Sequence, residues 1–161
     1  MFYFQLYICI RFQKSMSFVI RKLQKEDLNE KYFTLLSTLT EAPLPSKADI
    51  DKMYRYMQKH KDTYNVFVVV SPEGSVVGSG TLLVEKKFIR ALGCVGHIED
   101  IVISNECQGK GLGKKLITFL ADKAKSRKCY KVILACSEEN QKFYEKCGFS
   151  KKEVMMALYM N

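Results

Sequence analysis

Residues 108–114 read Gln-Gly-Lys-Gly-Leu-Gly-Lys, and they stand directly before a segment with the apolar spacing of a helix. Glycines in this position leave several backbone N–H groups exposed, and the N-terminus of the helix adds partial positive charge. Together these features favour a site for a phosphate or pyrophosphate group. Lys110 and Lys114 add charge to the same stretch. Taken alone, the loop is also compatible with an ordinary flexible turn.

Two common phosphate-binding motifs do not fit this loop. A P-loop reads G-x-x-x-x-G-K-[ST], but Gln108 stands at its first glycine and Lys115 at its hydroxyl position. A dinucleotide-binding loop reads G-x-G-x-x-G, and Lys114 occupies its last position. The pattern Q/R-x-x-G-x-G/A does fit, over residues 108–113. In this respect the loop resembles the acetyl-CoA pyrophosphate loop of the GCN5-related N-acetyltransferases (GNAT).

The composition is that of a globular protein with an excess of positive charge. The 161 residues suit one domain with a sizeable core, and 47% of them are apolar. The net charge of +9 suits nucleic acid or small polyanions. The sequence has no long basic run and no zinc-finger, RNP or helix-turn-helix signature, which disfavours nucleic acid. Six cysteines without a C-x-x-C pair predict reduced thiols, a cytoplasmic location and no metal site.

The N-terminus is predicted to lie outside the fold. Residues 1–12 are mostly apolar but too short to span a bilayer. They lack the basic region and the small-residue cleavage site of a signal peptide. Met16 resembles a second start. We therefore expect residues 1–15 to be an appendage and residues 16–161 to form a single N-acetyltransferase domain.

Hydrophobic periodicity predicts a mixed α/β layer with a central sheet. Strands are predicted at residues 19–21, 66–70, 76–84, 96–103, 130–136 and 154–159. Helices are predicted at residues 27–39, after the cap Ser46, after the glycine loop, and at residues 140–146, ending at Gly148. The helix after the loop has one apolar face: Leu112, Leu116, Ile117, Leu120 and Ala124. The phosphate loop thus lies just past the end of a strand, where open sheets bind ligands.

Three further segments make the resemblance more specific. They are Gly-His-Ile-Glu-Asp-Ile-Val at 96–102, Cys-Tyr-Lys-Val-Ile-Leu at 129–134, and Asn-Gln-Lys-Phe-Tyr-Glu-Lys-Cys-Gly-Phe at 140–149. This set is similar to the glucosamine-6-phosphate N-acetyltransferases, the sugar-phosphate branch of the GNAT superfamily. The resemblance implies the α/β GNAT fold, a central mixed twisted sheet flanked by helices. It also implies a homodimer in which both subunits contribute to the sugar site.

The same resemblance implies a reaction and the residues that perform it. The amine of glucosamine 6-phosphate would attack acetyl-CoA directly, giving N-acetylglucosamine 6-phosphate for UDP-N-acetylglucosamine synthesis. Tyr144 would protonate the leaving sulfur. The alternative is that Tyr144 is an aromatic residue of the core with no part in the reaction. Glu99 and Asp100 would contact the sugar. The alternative for this pair, a solvated acidic turn, is disfavoured because bare carboxylates in an apolar strand are costly.

The implied acetyl-CoA site combines an exposed strand, the glycine loop and a short helix. Its residues are Ile101, Val102, Ile103, Gln108, Gly109, Lys110, Gly111, Leu112, Gly113, Lys114, Asn140, Tyr144, Glu145 and Lys146. The first three would bind the pantetheine arm as an added strand. The alternative for Glu145 and Lys146 is that they are ordinary charged residues on the solvent-exposed side of a helix.

The implied substrate site adds cations for the sugar phosphate. Its residues are Thr40, Lys87, Phe88, Ile89, Arg90, Glu99, Asp100, Ile101, Tyr130, Lys131 and Ala135. Lys131 is the best phosphate candidate, helped by Lys87 and Arg90. Ordinary exposed charge is the alternative for each of these cations, and a helix-end cap is the alternative for Thr40.

Two positions depart from the implied family pattern. Ala135 replaces an acidic residue that helps to position or deprotonate the amine, and Tyr159 replaces a basic residue near the C-terminus. His97 is interpreted as a structural residue that points to the face opposite the acidic pair. The rival functions are acetylation of another amine, such as a polyamine or a protein amine, and a CoA-binding pseudoenzyme weakened by Ala135. A basic nucleic-acid-binding domain is the third.

Overall fold

The computed structural model describes residues 17–160, which contain five strands and five helices. The strands are β1 (Val19–Lys22), β2 (Tyr64–Val70), β3 (Val76–Lys86), β4 (Cys94–Ile103) and β5 (Cys129–Ile133). The helices are α1 (Glu30–Ser37), α2 (Lys47–Lys59), the single turn α3 (Ile89–Leu92), α4 (Leu112–Ser126) and α5 (Glu138–Glu145). The predicted appendage at residues 1–15 lies outside the described residues, so that prediction stays a prediction, as does the extent of the domain.

The sheet is mixed, as the sequence predicts. Its strand order is β1-β2-β3-β4-β5. The first four strands pair antiparallel, whereas β4 and β5 pair parallel. The parallel pair is joined through α4, because a parallel connection needs a crossover.

Helix α4 forms the main core against one face of the sheet. All five residues of its predicted apolar face are buried, and Leu116, Ile117, Leu120 and Ala124 have no exposed surface. They pack with Leu82 and Ile98 of the central strands. On the other face a smaller cluster joins Tyr32 of α1 to Val68 and Leu23.

The first predicted helix begins later than expected. Asp27 lies in a 3-10 turn, Lys25–Asp27, where its carboxylate accepts two hydrogen bonds from Arg21, at 2.6 and 2.8 Å. Helix α1 starts only after Asn29, whose side chain caps the backbone N–H groups of Lys31 and Tyr32. This cap, rather than Asp27, sets the boundary. The predicted cap of α2 is confirmed, because Ser46 Oγ accepts from Asp49 N at 3.2 Å.

The predicted last strand at residues 154–159 is wrong. Residues 151–160 have no secondary structure, and all of them are exposed. The apolar composition suits a strand, but a strand also needs a partner edge. Within the described part of this chain the segment pairs with none.

Candidate active site

Strand β4 contains a β-bulge at its centre. The register pairs Ser79 with Val102 and Thr81 with Glu99, so Asp100 and Ile101 together lie opposite Gly80. Asp100 has φ 53°, in the left-handed region. A bulge leaves its extra residue out of the ladder and redirects the neighbouring side chains, which is why bulges occur beside active sites. The bulge therefore leaves backbone groups near residues 100–101 outside the regular ladder.

Gly80 permits the close packing behind this bulge. A Cβ atom built on Gly80 would lie 2.5 Å from Ile101 Cδ1 and 3.1 Å from Leu120 Cδ1. No side chain fits there without moving Ile101. The same contacts show that Gly80 faces α4, so its neighbours Ser79 and Thr81 face α1. We call this second face of the sheet, which also bears Glu99, the acceptor face.

The two carboxylates of the acidic pair, Glu99 and Asp100, lie at the bulge in two different environments. Glu99 is half-buried, and its pKa is raised by burial and by the charge of Asp100, while the charge of His97 opposes the shift. Asp100 is exposed. A carboxylate with a raised pKa can accept a proton more readily, so Glu99 is the better base of the two.

The interpretation of His97 was wrong. Residues two apart in a strand share a face, and His97 lies on the acceptor face with Glu99, where the register places it opposite Leu83. Its Nε2 atom lies 2.9 Å from Glu85 Oε2, and its charge acts on Glu99. His97 thus belongs to the surroundings of the acidic pair.

Strands β4 and β5 separate beside the bulge. They pair only from Cys94 with Cys129 to His97 with Ile133. The β5-facing edge of residues 98–103 has no strand partner within residues 17–160. Ile101, Val102 and Ile103 therefore offer a free strand edge, on which an extended pantetheine arm can be bound like an added strand.

This separation also corrects the predicted strand at residues 130–136, which ends at Ile133. Ala135 and Cys136 lie beyond it, in an exposed segment that leads to Ser137, the N-cap of α5. The ladder stops because β4 turns away and offers no further partner. Ala135 consequently lies at the opening between the strands and not within the sheet.

The glycine loop has the geometry predicted for a phosphate site. Gly109 and Gly111 have φ of 75° and 72°, which side-chain-bearing residues rarely adopt. Gly111 is the N-cap of α4 and carries no capping side chain, so the first N–H groups of the helix are free for a ligand. Lys110 and Lys114 are exposed beside it. These residues fit the pyrophosphate of acetyl-CoA.

Three predicted cofactor residues of this loop have structural roles as well. The buried side chain of Leu112 belongs to the core, so only its backbone is available to a cofactor. Gln108 Nε2 donates to Asn105 Oδ1 at 2.8 Å, which orders the entrance of the loop. Gly113 approaches Phe143 of α5, since a Cβ there would lie 3.2 Å from the Phe143 ring.

Tyr144 lies on α5, the helix that follows the end of β5. Its ring packs edge-on against Phe143 and Phe149, with centroid distances of 5.0 and 6.2 Å. The pKa of its half-buried hydroxyl is raised, first by burial and then by the neighbouring thiols of Cys136 and Cys147. The hydroxyl thus keeps its proton at neutral pH, as a general acid must.

The other predicted residues of α5 are exposed. Asn140 donates from Nδ2 to Ser137 Oγ at 3.1 Å, which fixes the first turn of the helix. Glu145 and Lys146 stand at its last turn, in solvent. The structure leaves both readings of these two charges open.

The predicted phosphate-binding cations lie around the turn α3 and the strand β5. Arg90 stacks over the ring of Tyr130, with 5.8 Å from Cζ to the centroid, and Lys131 is exposed on the same strand. Lys87 Nζ is bound to Glu85 Oε1 at 2.6 Å. The structure therefore brings Arg90 and Tyr130 together, while Lys87 is held by a carboxylate.

Phe88, Ile89 and Thr40 are exposed in this chain. Phe88 is 95% exposed and Ile89 65%, which makes them unsuited to a core role. The backbone N–H of Thr40 donates to Leu36 O. The side-chain cap at the C-terminal end of α1 is Thr38, whose Oγ1 donates to Leu35 O at 2.8 Å. The hydroxyl of Thr40 is consequently not needed as a cap.

Sequence reasoning missed a buried polar pair under the site. Tyr32 Oη and Ser79 Oγ lie 3.0 Å apart, and both residues are buried. Burial raises the pKa of Tyr32, and the charges of Asp100 and Asp27 contribute to the shift. Because Tyr32 falls on the apolar face of α1, no sequence signal separates it from an ordinary core residue.

Within residues 17–160, His, Cys, Asp and Glu form no group suited to a metal ion. The helices of this part of the chain are all too short or too polar to cross a bilayer.

Residues 25–149 match the acetyltransferase (GNAT) family. Together with the bulged strand, the free strand edge and the glycine loop, this match defines the class. The chain belongs to the GNAT family of acetyltransferases, and its predicted fold class is confirmed.

Within this family the chain is similar to glucosamine 6-phosphate N-acetyltransferases. It is 40% identical to the enzyme of Arabidopsis thaliana over 90% of this chain and 98% of that protein. The Dictyostelium discoideum enzyme is 43% identical over 87% of this chain and 89% of that protein. The Candida albicans enzyme is 42% identical over 86% of this chain and 93% of that protein. The crystal structure of the Arabidopsis protein matches with a TM-score of 0.86, at 90% coverage of this chain and 99% of that chain. The resemblance drawn from the motifs is thereby confirmed.

Proposed function

We propose that this protein transfers the acetyl group of acetyl-CoA to the amine of glucosamine 6-phosphate, as the names of its relatives suggest. The observation that supports this most directly is the opening between β4 and β5. Beside it the backbone edge of residues 98–103 has no strand partner within residues 17–160, and the half-buried Glu99 lies on the same strand. Tyr144, which keeps its proton, lies on α5, the helix that follows the end of β5. Direct transfer needs these elements: a cosubstrate site, a base and an acid.

Each group has one step in the proposed reaction. Glu99 takes the proton of the substrate ammonium, which makes the amine nucleophilic. Backbone N–H groups at the bulge near Asp100 and Ile101 face the thioester oxygen, where negative charge develops. Tyr144 gives its proton to the departing sulfur. The cations Arg90 and Lys131, with Lys87, bind the sugar phosphate.

Substrate choice tests the proposal. Because the exposed cations at this end of the site suit an anion, we expect kcat/KM with glucosamine 6-phosphate to exceed that with glucosamine at least tenfold, or about 1.4 kcal/mol. Thiol release from acetyl-CoA would be measured with glucosamine 6-phosphate, glucosamine, spermidine and a peptide amine in parallel.

The alternatives give different results in the same assay. Equal rates with and without the phosphate, or faster turnover of spermidine, would assign the enzyme to another amine. Binding of CoA without thiol release for any amine would indicate a pseudoenzyme, the outcome that Ala135 makes worth testing.

We further propose a homodimer held by the C-terminal tail. Six large apolar side chains of the tail are between 73% and 92% exposed. They are Val154, Met155, Met156, Leu158, Tyr159 and Met160. A protein in water rarely leaves so continuous an apolar stretch uncovered. Backbone groups outside any helix or sheet can also pair with those of a second copy.

Removal of residues 151–161 is expected to convert the dimer into a monomer and to lower activity, since the sugar site is proposed to draw on both subunits. Sedimentation velocity at micromolar concentration would give the mass, to be compared with the 18.6 kDa of one chain. The double variant Lys151→Ala, Lys152→Ala is the control, because it changes the tail without removing its apolar residues. A full-length protein that sediments as a monomer would contradict this proposal.

We also infer a cytoplasmic location. The thiols of Cys94, Cys107, Cys129, Cys136 and Cys147 are all free. Free thiols suit a reducing compartment.

A further inference from the structure

A cavity of about 480 Å³ lies beside helix α4, on the face of the sheet opposite the acceptor face. Residues of β1, β2 and β3 line one side of it, and the second half of α4 with its C-cap Arg127 lines the other. None of these residues belongs to the predicted acetyl-CoA site or to the predicted substrate site. The volume lies within the range of sites that bind small organic molecules. The proposed reaction leaves this cavity without a role.

The floor of the cavity is apolar. Phe67 of β2 and Leu82 of β3 are buried there, and Ile20 of β1 lies at the edge. Phe119 of α4 packs edge-on against Phe67, with a centroid distance of 5.0 Å. Because Phe119 is only half-buried, part of its surface remains open. An apolar or aromatic group would remove this surface from water, which is favourable.

Three cations surround the floor: Lys22, Lys123 and Arg127. All three are exposed, and within residues 17–160 none of them forms a salt bridge with a carboxylate. The lining contains a fourth cation, Arg21, but its guanidinium is bound to Asp27. In the described part of the chain no acidic residue lines the cavity. The rim therefore carries three positive charges without a counter-charge.

Neutral groups hold two of these cations beside the floor. Arg127 Nη2 donates to the Oδ1 atom of the buried Asn65 at 3.2 Å. Lys123 Nζ lies 5.1 Å from the centroid of the Phe119 ring, as in a cation–π contact. An amide and an aromatic ring orient a cation without cancelling its charge. Both cations thus remain available to an anion.

The dipole of α4 explains only part of this arrangement. Lys123 and Arg127 stand at the C-terminal end of the helix, where cations are favoured in any case. Lys22 belongs to β1, so the helix does not account for it. The register pairs Lys22 with Phe67, which places it on the same face of the sheet as the floor. Cations from two separate elements therefore converge over one apolar surface.

We propose that this cavity binds a small organic anion, in which an aromatic or apolar body carries a phosphate, sulfonate or carboxylate group. The body lies against Phe67 and Phe119, and the anionic group accepts hydrogen bonds from Arg127 and the two lysines. Arg127 has further N–H donors besides the one that Asn65 takes, and its planar guanidinium suits such groups. Because the lining is separate from the predicted acetyl-CoA site, both ligands bind to one chain together.

The experiment uses the full chain, with anilinonaphthalenesulfonate as the probe. This dye is an aromatic anion that reports binding to apolar surface by its fluorescence. In the presence of saturating CoA, the wild-type protein is expected to show one saturable site that depends on the lysines of the rim. Inorganic sulfate supplies the charge without the body, so it should compete at least about 10²-fold more weakly than the dye binds.

Charge variants decide where the dye is bound. Lys22→Gln and Lys123→Gln are each expected to raise its Kd about tenfold, because each removes a charge-assisted hydrogen bond. Lys125→Gln is the matched control, since Lys125 is exposed in the same turn of α4 but does not line the cavity. Dye bound to the exposed apolar tail would respond equally to all three variants. Melting temperatures should agree across the set.

Several outcomes would overturn the proposal. One is a wild-type protein with no saturable site, and another is a site that CoA removes, because the dye would then occupy the nucleotide site. Equal losses in Lys123→Gln and Lys125→Gln would show that only the total charge matters. Sulfate competing as well as the dye binds would exclude a role for the apolar floor.

A different occupant would also be recognised. If the wild-type protein binds no dye but the variant Leu6→Asp, Ile10→Asp gains a site that depends on Lys22 and Lys123, the cavity is assigned to the N-terminal segment of this chain. Acetylation of glucosamine 6-phosphate is measured separately. Its failure would contradict the proposed function and leave the anion site standing.

Discussion

The Tyr144→Phe variant is expected to turn over glucosamine 6-phosphate about 10²-fold more slowly than the wild-type protein, because it has no proton to give to the departing sulfur. The affinity for acetyl-CoA should change little. The melting temperature should also hold, since the ring keeps its packing against Phe143 and Phe149. Steady-state kinetics, acetyl-CoA titration and thermal denaturation together measure these three effects.

The pH dependence has a definite sign. Burial raises the pKa of Tyr144 above its ordinary value of 10, so the proton is present throughout the neutral range. Any loss of activity from ionisation of this hydroxyl should therefore occur only above about pH 10. Tyr54→Phe, on the outer helix α2, is the matched control. Turnover of Tyr144→Phe within twofold of wild type would show that Tyr144 serves only to pack the core.

The parts of the fold that depend on local periodicity were predictable. The buried face of α4 follows from apolar residues spaced three and four apart, and all five predicted positions are buried. The central strand β2 follows from a run of β-branched residues, of which Val68 and Val69 have no exposed surface. In these elements the hydrophobic pattern determines both the type of structure and the side that is buried.

The parts that depend on a partner were not predictable. The apolar residues from Val154 onward suit a strand, yet nothing in their pattern states which edge they would pair with. The end of β5 at Ile133 is set by β4 turning away, a tertiary effect that residues 134–136 do not encode. In both cases the residues have the propensity to form a strand, and the error lies in whether a neighbouring strand is present to pair with them.

The sequence suggested residues for the candidate site, which remain a prediction, but it did not indicate the geometry of the site. The bulge at Asp100 requires a positive φ at a residue other than glycine, which no local signal indicates. The buried pair of Tyr32 and Ser79 is likewise invisible, because it joins residues 47 positions apart. His97 is a different case, since its alternation with Glu99 was available in the sequence and was misread.

The Glu99→Gln variant is expected to lower turnover by about 10²-fold, because an amide cannot accept the amine proton. In the wild type, burial and Asp100 raise the pKa of Glu99 above the ordinary value of 4.5. Activity should therefore fall as the pH drops through that raised pKa, since the protonated carboxyl is no longer a base. The profile of kcat/KM against pH should lose this acidic limb in Glu99→Gln. An unchanged limb would assign it to another group.

The absence of a carboxylate at Ala135 gives a second way to test the same role. Ala135 is exposed just beyond the end of β5, and it precedes Cys136, whose thiol acts on the pKa of Tyr144. Ala135→Asp is expected to raise turnover by up to about tenfold and to restore part of the activity of Glu99→Gln, because either carboxylate can then accept the proton. Ala135→Asn is the control for size without charge. If Ala135→Asp is no faster than its parent in either background, the amine is activated at a position that residue 135 does not reach.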